Sequence, residues 1–139
     1  MFAIVLNGCK EDSDTTRPVI NLIEPAEDDV LQIGNSNGIH FEAEFSDDEA
    51  LASYKVDIHP DFDGHTHTRS SDETVDFEFN QSWPISGRNA PIHHHEIKIP
   101  ENATPGDYHL MVYCTDVAGN ESYIAVDVVL SHEAGNHHE

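Results

Sequence analysis

Basic residues are scarce in this chain. Six Lys and Arg stand against 27 Asp and Glu, a formal charge of −21 over 139 residues, and a surface of that sign repels phosphate backbones and the anionic faces of membranes. Nucleic acid is therefore not an expected partner. Cysteine is nearly absent as well. Cys9 lies in a processing motif and Cys114 within a strand pattern, so no disulfide framework is expected. Cys114 has the apolar parity of its strand and reads as a buried, inert thiol. With only Met1 and Met111 as methionines, a thioether-rich copper(I) site is disfavoured. No segment carries a 3.6-residue apolar period, which excludes a helical fold. Also missing are a Ser-His-Asp order with a strained nucleophile turn, a phosphate-cradling glycine loop and a His-Glu-x-x-His helix. An enzyme is not expected on those grounds.

What the chain does have is histidine, eleven residues of it, falling in clusters rather than singly. An acidic surface concentrates cations by Coulomb attraction, and neutral imidazoles are ligands for transition ions. The pairing of the two features directs attention to metal binding.

From Pro18 onward the sequence alternates apolar and polar residues in short runs broken by turn residues every eight to fifteen positions. This pattern predicts strands at Val19 to Glu24, Val30 to Ile33, Gly38 to Phe45, Leu51 to His59, Thr74 to Phe79, Ile92 to Ile99, Asp107 to Thr115 and Ser122 to Leu130. Seven or eight such strands in residues 18–131, a length that holds one core, predict an all-β Greek-key sandwich. Parity places Ile39, Phe41, Ala43, Phe45, Tyr54, Val56 and Ile58 inward, and His40, Glu42, Glu44, Lys55, Asp57 and His59 outward. The stretch 82–91, which includes Trp83, reads as a long loop.

The N-terminus looks like an address. An apolar run, Phe2 to Leu6, ends in Asn7-Gly8-Cys9, which resembles the lipobox of bacterial lipoproteins. That resemblance implies a diacylated Cys9 and stable anchoring by more than one acyl chain. The run is short and no Lys or Arg precedes it, so an in-frame upstream extension is expected. Lys10-Glu11-Asp12 is similar to the signal that sends Bacteroidetes lipoproteins to the outer face of the outer membrane. Residues 10–17 would then be a flexible tether, and residues 132–139 a disordered histidine-bearing tail.

The segment Pro105-Gly106-Asp107-Tyr108 through Asp116-Val117-Ala118-Gly119-Asn120 resembles the F strand, hairpin turn and G strand of bacterial immunoglobulin-like and fibronectin-like domains, with Tyr108 as a tyrosine-corner residue. Together with Arg17-Pro18-Val19-Ile20, Asp63-Gly64-His65, His93-His94-His95 and Ile99-Pro100, the mature chain is similar to a family of small, histidine-bearing Bacteroidetes lipoproteins, domain of unknown function 4625. That resemblance implies a fold and a location, and no activity.

Two histidine clusters are candidates. In the first, His59-Pro60-Asp61-Phe62-Asp63-Gly64-His65-Thr66-His67 closes a strand and opens a long loop. His65 and His67 share one face of an extended segment. Antiparallel pairing of the C and F strands would bring His59 beside His109, with Asp61 or Asp63 as an oxygen ligand. Three or four imidazoles suit zinc, and equally copper(II) or nickel. In the second, His93, His94 and His95 begin at the opposite pole by the same topology, with the acidic turn Asp47-Asp48-Glu49 as neighbour. Parity puts His93 and His95 on the side of Ile97 and Ile99. One composite site and two separate ones both remain open. Asp61-x-Asp63-Gly64 lacks the bidentate acid of a calcium loop. The expected function is capture or delivery of a zinc or copper ion at the cell surface, with an outer-membrane protein or transporter as partner. The alternative is an interaction module without metal, anchored through Trp83.

Overall fold

A computed structural model describes residues 15–61 and 74–133. Among these residues eight strands form two sheets. They are β1 (Val19–Glu24), β2 (Asp29–Gln32), β3 (Ile39–Ser46), β4 (Leu51–Pro60), β5 (Phe79–Pro84), β6 (Asn89–Ile97), β7 (Gly106–Asp116) and β8 (Glu121–Ser131). One sheet has the order β1-β3-β6 and the other β2-β8-β7-β4-β5. All pairings are antiparallel except β2 with β8. The arrangement is the Greek-key sandwich of immunoglobulin-like and fibronectin-like domains, as the short alternating strands require.

Alternation decides what lies between the sheets. Ile39, Phe41, Ala43 and Phe45 of β3 are buried against Tyr54, Val56 and Ile58 of β4 and Leu110, Val112 and Cys114 of β7. The intervening residues face outward. Cys114 is a free, fully buried thiol, and burial raises its pKa to about 12. At the end of β7, Asp116 accepts the backbone N–H groups of Ala118 and Asn120 at 3.0 and 2.8 Å. Gly119 takes a positive φ of 95° in the same turn, the conformation the Gly-Asn pair predicts.

Tyr108 is the tyrosine corner. Its hydroxyl donates to the Thr104 carbonyl at 2.7 Å and accepts the Phe77 N–H at 3.1 Å. It thereby ties the approach to β5 onto the start of β7.

Two sequence expectations are corrected here. The strand expected at Thr74 to Phe79 begins only at Phe79; before it, Val75 forms an isolated bridge to Ala103. Consequently 82–91 is not a long loop. Trp83 lies within β5 opposite Tyr54, and a short turn at Ile85–Arg88 leads into β6. Polar Asn80, Gln81 and Ser82 obscure β5 because an edge strand exposes most of its residues.

Candidate metal centre

β6 is the strand that builds the main site, and it does so through an irregularity. Three residues of β3, Ile39 to Phe41, face four residues of β6, Ile97 back to His94. The extra residue is a β-bulge. It lets His94 and Ile97 both point inward while His95 and Glu96 are both exposed. Gly38 permits it: an added Cβ there would lie 2.0 Å from the His95 carbonyl oxygen, and its φ is +85°. The parity expectation for His93 and His95 is therefore overturned. They face away from Ile97, out of the sandwich.

On that outer face they meet His40 of β3. The ring centroids of His40 lie 4.5 Å from His93 and 5.1 Å from His95, and the last two are 5.5 Å apart. One ligand atom from each of the three lies within 4.8 Å of the others. A tetrahedral ion with nitrogen bonds of about 2.0–2.1 Å needs ligand nitrogens roughly 3.3 Å apart, so small side-chain rotations close the triad. Two carboxylates flank it, with His40 Nε2 at 3.1 Å from Glu42 Oε1 and 3.7 Å from Glu24 Oε1. The site opens onto a cleft of about 670 Å³ whose lining includes Asp29, Gln32 and Asn35. The acidic turn expected beside these histidines is at the other end of β3. There Asp47 Oδ2 accepts the N–H groups of Glu49 and Ala50, and Asp47 N–H bonds to the Arg88 carbonyl.

His94 is not a free ligand. Its Nδ1 accepts the Glu96 N–H at 3.2 Å, which leaves the proton on Nε2, 3.0 Å from the Tyr54 hydroxyl. The ring stacks on Phe41 and packs against Trp83 at 5.1 and 4.8 Å. Burial lowers its pKa, with Glu96 opposing the shift. Trp83 in turn stacks on Tyr54 at 4.9 Å and donates its indole N–H to Glu96 at 2.9 Å. The Trp83 side chain closes the edge between the sheets and is not an exposed loop anchor.

The second cluster lies on the outer face of the other sheet. His59 and His109 are directly opposed across β4 and β7, as the C–F pairing predicts, with ring centroids 5.4 Å apart. His109 Nδ1 is 2.9 Å from Asp127 Oδ1 and its Nε2 is 3.3 Å from Asp61 Oδ1. His59 Nδ1 is 3.1 Å from Asp57 Oδ1. Asp63, His65, His67 and Cys9 lie outside the described residues. Apart from the inward His94 and from His132, the described histidines thus fall in two clusters on opposite faces, His40 with His93 and His95 on one and His59 with His109 on the other.

A model of one protein family matches residues 7–131, nearly the whole chain. The chain belongs to the domain of unknown function 4625 family. No curated protein gives a significant match to this member. Sequence reading missed two residues of its clusters, His40 and Asp127. His40 was legible as an outward residue of β3, and pairing β3 with β6 supplies the rest. Asp127 has outward parity in β8, opposite His109 in register.

Proposed function

We propose that this domain binds a divalent transition ion, zinc or copper(II), through His40, His93 and His95. The observation that carries the reading is the convergence of three imidazoles from two adjacent strands within 4.8 Å. All three offer imidazole nitrogens, the class of ligand that zinc, copper(II) and nickel favour. Glu24 and Glu42 add negative charge beside them, and the acidic surface raises the local cation concentration. The cleft gives an incoming ion, or a ligand completing its shell, a way in. The reading is one of binding without turnover. On a lipid-anchored protein at the outer membrane, such a site would capture an ion from the surroundings for delivery to a membrane partner.

The test uses protein purified without a histidine-affinity column. Isothermal titration with Zn²⁺ should show one equivalent that the H40A/H93A/H95A variant lacks. Titration with Cu²⁺ should quench Trp83, the single tryptophan, whose ring packs on the imidazole between His93 and His95. The triple variant should lose that quenching. Wild-type affinity no tighter than that of an unstructured histidine-rich peptide, or unchanged stoichiometry in the variant, refutes the assignment.

A further inference from the structure

The three-imidazole site leaves the second cluster unexplained. His59 and His109 have the same construction, although they sit on different strands. Each has Nδ1 against a carboxylate, Asp57 for His59 at 3.1 Å and Asp127 for His109 at 2.9 Å. A carboxylate at Nδ1 fixes the proton there, sets the ring orientation and leaves the Nε2 lone pair as the donor, the arrangement found behind metal-ligating histidines. The Asp57 carboxylate is itself held, its Oδ2 accepting the Asn80 amide at 3.1 Å, and the backbone N–H of Asp127 donates to Glu27 at 3.2 Å. Asp61 completes the group. Its backbone N–H bonds to the Asp107 carbonyl at 2.9 Å, and its Oδ1 reaches to 3.3 Å from His109 Nε2.

We infer that His109 and Asp61, whose ligand atoms lie 3.3 Å apart, form a second divalent-metal site that His59 joins by side-chain rotation from the facing ring 5.4 Å away, with Asp57 and Asp127 as positioning residues. The donor set is two imidazoles and one carboxylate, harder than the three imidazoles on the other sheet. Such a set leaves coordination positions open and accepts Zn²⁺, Co²⁺ or Fe²⁺. An oxygen-only cation such as Ca²⁺ is disfavoured by the two nitrogens. The inference does not depend on the first site. The two clusters share no residue and lie on opposite outer faces, so each can be removed alone.

Co²⁺ is the probe, because its visible absorption reports nitrogen-oxygen coordination directly. The background is a variant with His40, His93, His95, His65, His67, His132, His137 and His138 all replaced by Ala, which leaves His94, bonded to Tyr54 between the sheets, and His59 and His109 on the outer face. This protein should bind one equivalent of Co²⁺. Adding His109→Gln should abolish that equivalent while leaving the melting temperature within a few degrees. Adding Asp127→Asn should weaken it about 10–100-fold. No binding in the background protein, or binding unaffected by His109→Gln, overturns the site. Affinity within twofold after Asp127→Asn overturns the positioning role. Loss of the first site's equivalent in H40A/H93A/H95A, with this one retained, separates the two assignments.

Discussion

Replacing Tyr108 with Phe removes a single oxygen, and the structure says what that oxygen does. Tyr108 is 0% exposed. Its hydroxyl serves two backbone groups, the Thr104 carbonyl and the N–H of buried Phe77. Each bond contributes about 1 kcal/mol net, and a buried donor left without a partner costs about 1–3 kcal/mol. The substitution should therefore destabilise by about 2–4 kcal/mol. For a domain of this size that is a fall in melting temperature of about 10–20 °C. The control is Tyr113→Phe, whose hydroxyl points to the Met111 sulfur at 3.6 Å on the outer face; a surface change of that kind stays within about 0.5 kcal/mol. Urea and thermal unfolding followed by Trp83 fluorescence measure both. The loss has a functional reach too, because Tyr108 is the register partner of Pro60 and flanks His109. Co²⁺ binding at His59 and His109 should weaken, while Zn²⁺ binding at His40, His93 and His95 on the other sheet is kept. A loss below about 1 kcal/mol refutes the account of Tyr108 as a buried two-bond bridge.

Gly38→Ala should cost about 2–5 kcal/mol, the sum of a positive-φ penalty and the clash with the His95 carbonyl. It should also weaken Zn²⁺ binding at the three-imidazole site by displacing the bulge; unchanged binding with unchanged stability would show that the bulge tolerates a side chain. Cys114, with its pKa raised to about 12 by burial, should resist thiol reagents at pH 8 in the folded protein and react at once in urea. The sign of its pH effect follows. An unfolded thiol titrates near 8.5, so its stabilising contribution is complete below that pH and is lost as pH climbs toward 12. Urea midpoints at pH 7 and pH 10 should differ by less in Cys114→Val than in the wild type, and equal differences would dismiss the thiol as the source.

Much of the fold was legible because alternation is a local signal. The inward residues of β3 and β4 follow from parity alone, and Tyr108 and the Asp116 turn carry their own chemistry. The pairing of His59 with His109 was legible for a related reason, since strand order in this sandwich leaves little choice for C and F. β5 was hidden, since an edge strand with one face wet has few apolar residues to count. Its true end was written in Ser86-Gly87, where Gly87 takes a φ of 79°, but the Pro residues at 84 and 91 blurred that signal. The His93 side of the site was misread for a different reason. Parity propagates perfectly along a regular strand, and one inserted residue inverts everything beyond it.

That inversion is also why the main site can exist. β6 must end in the core, because Ile97 and Ile99 are almost completely buried, and each such side chain is worth about 1.5–3 kcal/mol. On a regular strand His93 and His95 would share the face of Ile97. The strand would then have to bury two imidazoles or expose two isoleucines. The bulge at His95 and Glu96 removes the conflict by changing phase between His94 and Ile97. The inward member of the histidine triplet, His94, packs on the core and bonds to Tyr54, and the two outward members become a ligand pair facing His40. Gly38 is the counterpart of that phase change on the neighbouring strand, so the stability of the sandwich edge and the assembly of the three imidazoles rest on the same few backbone atoms.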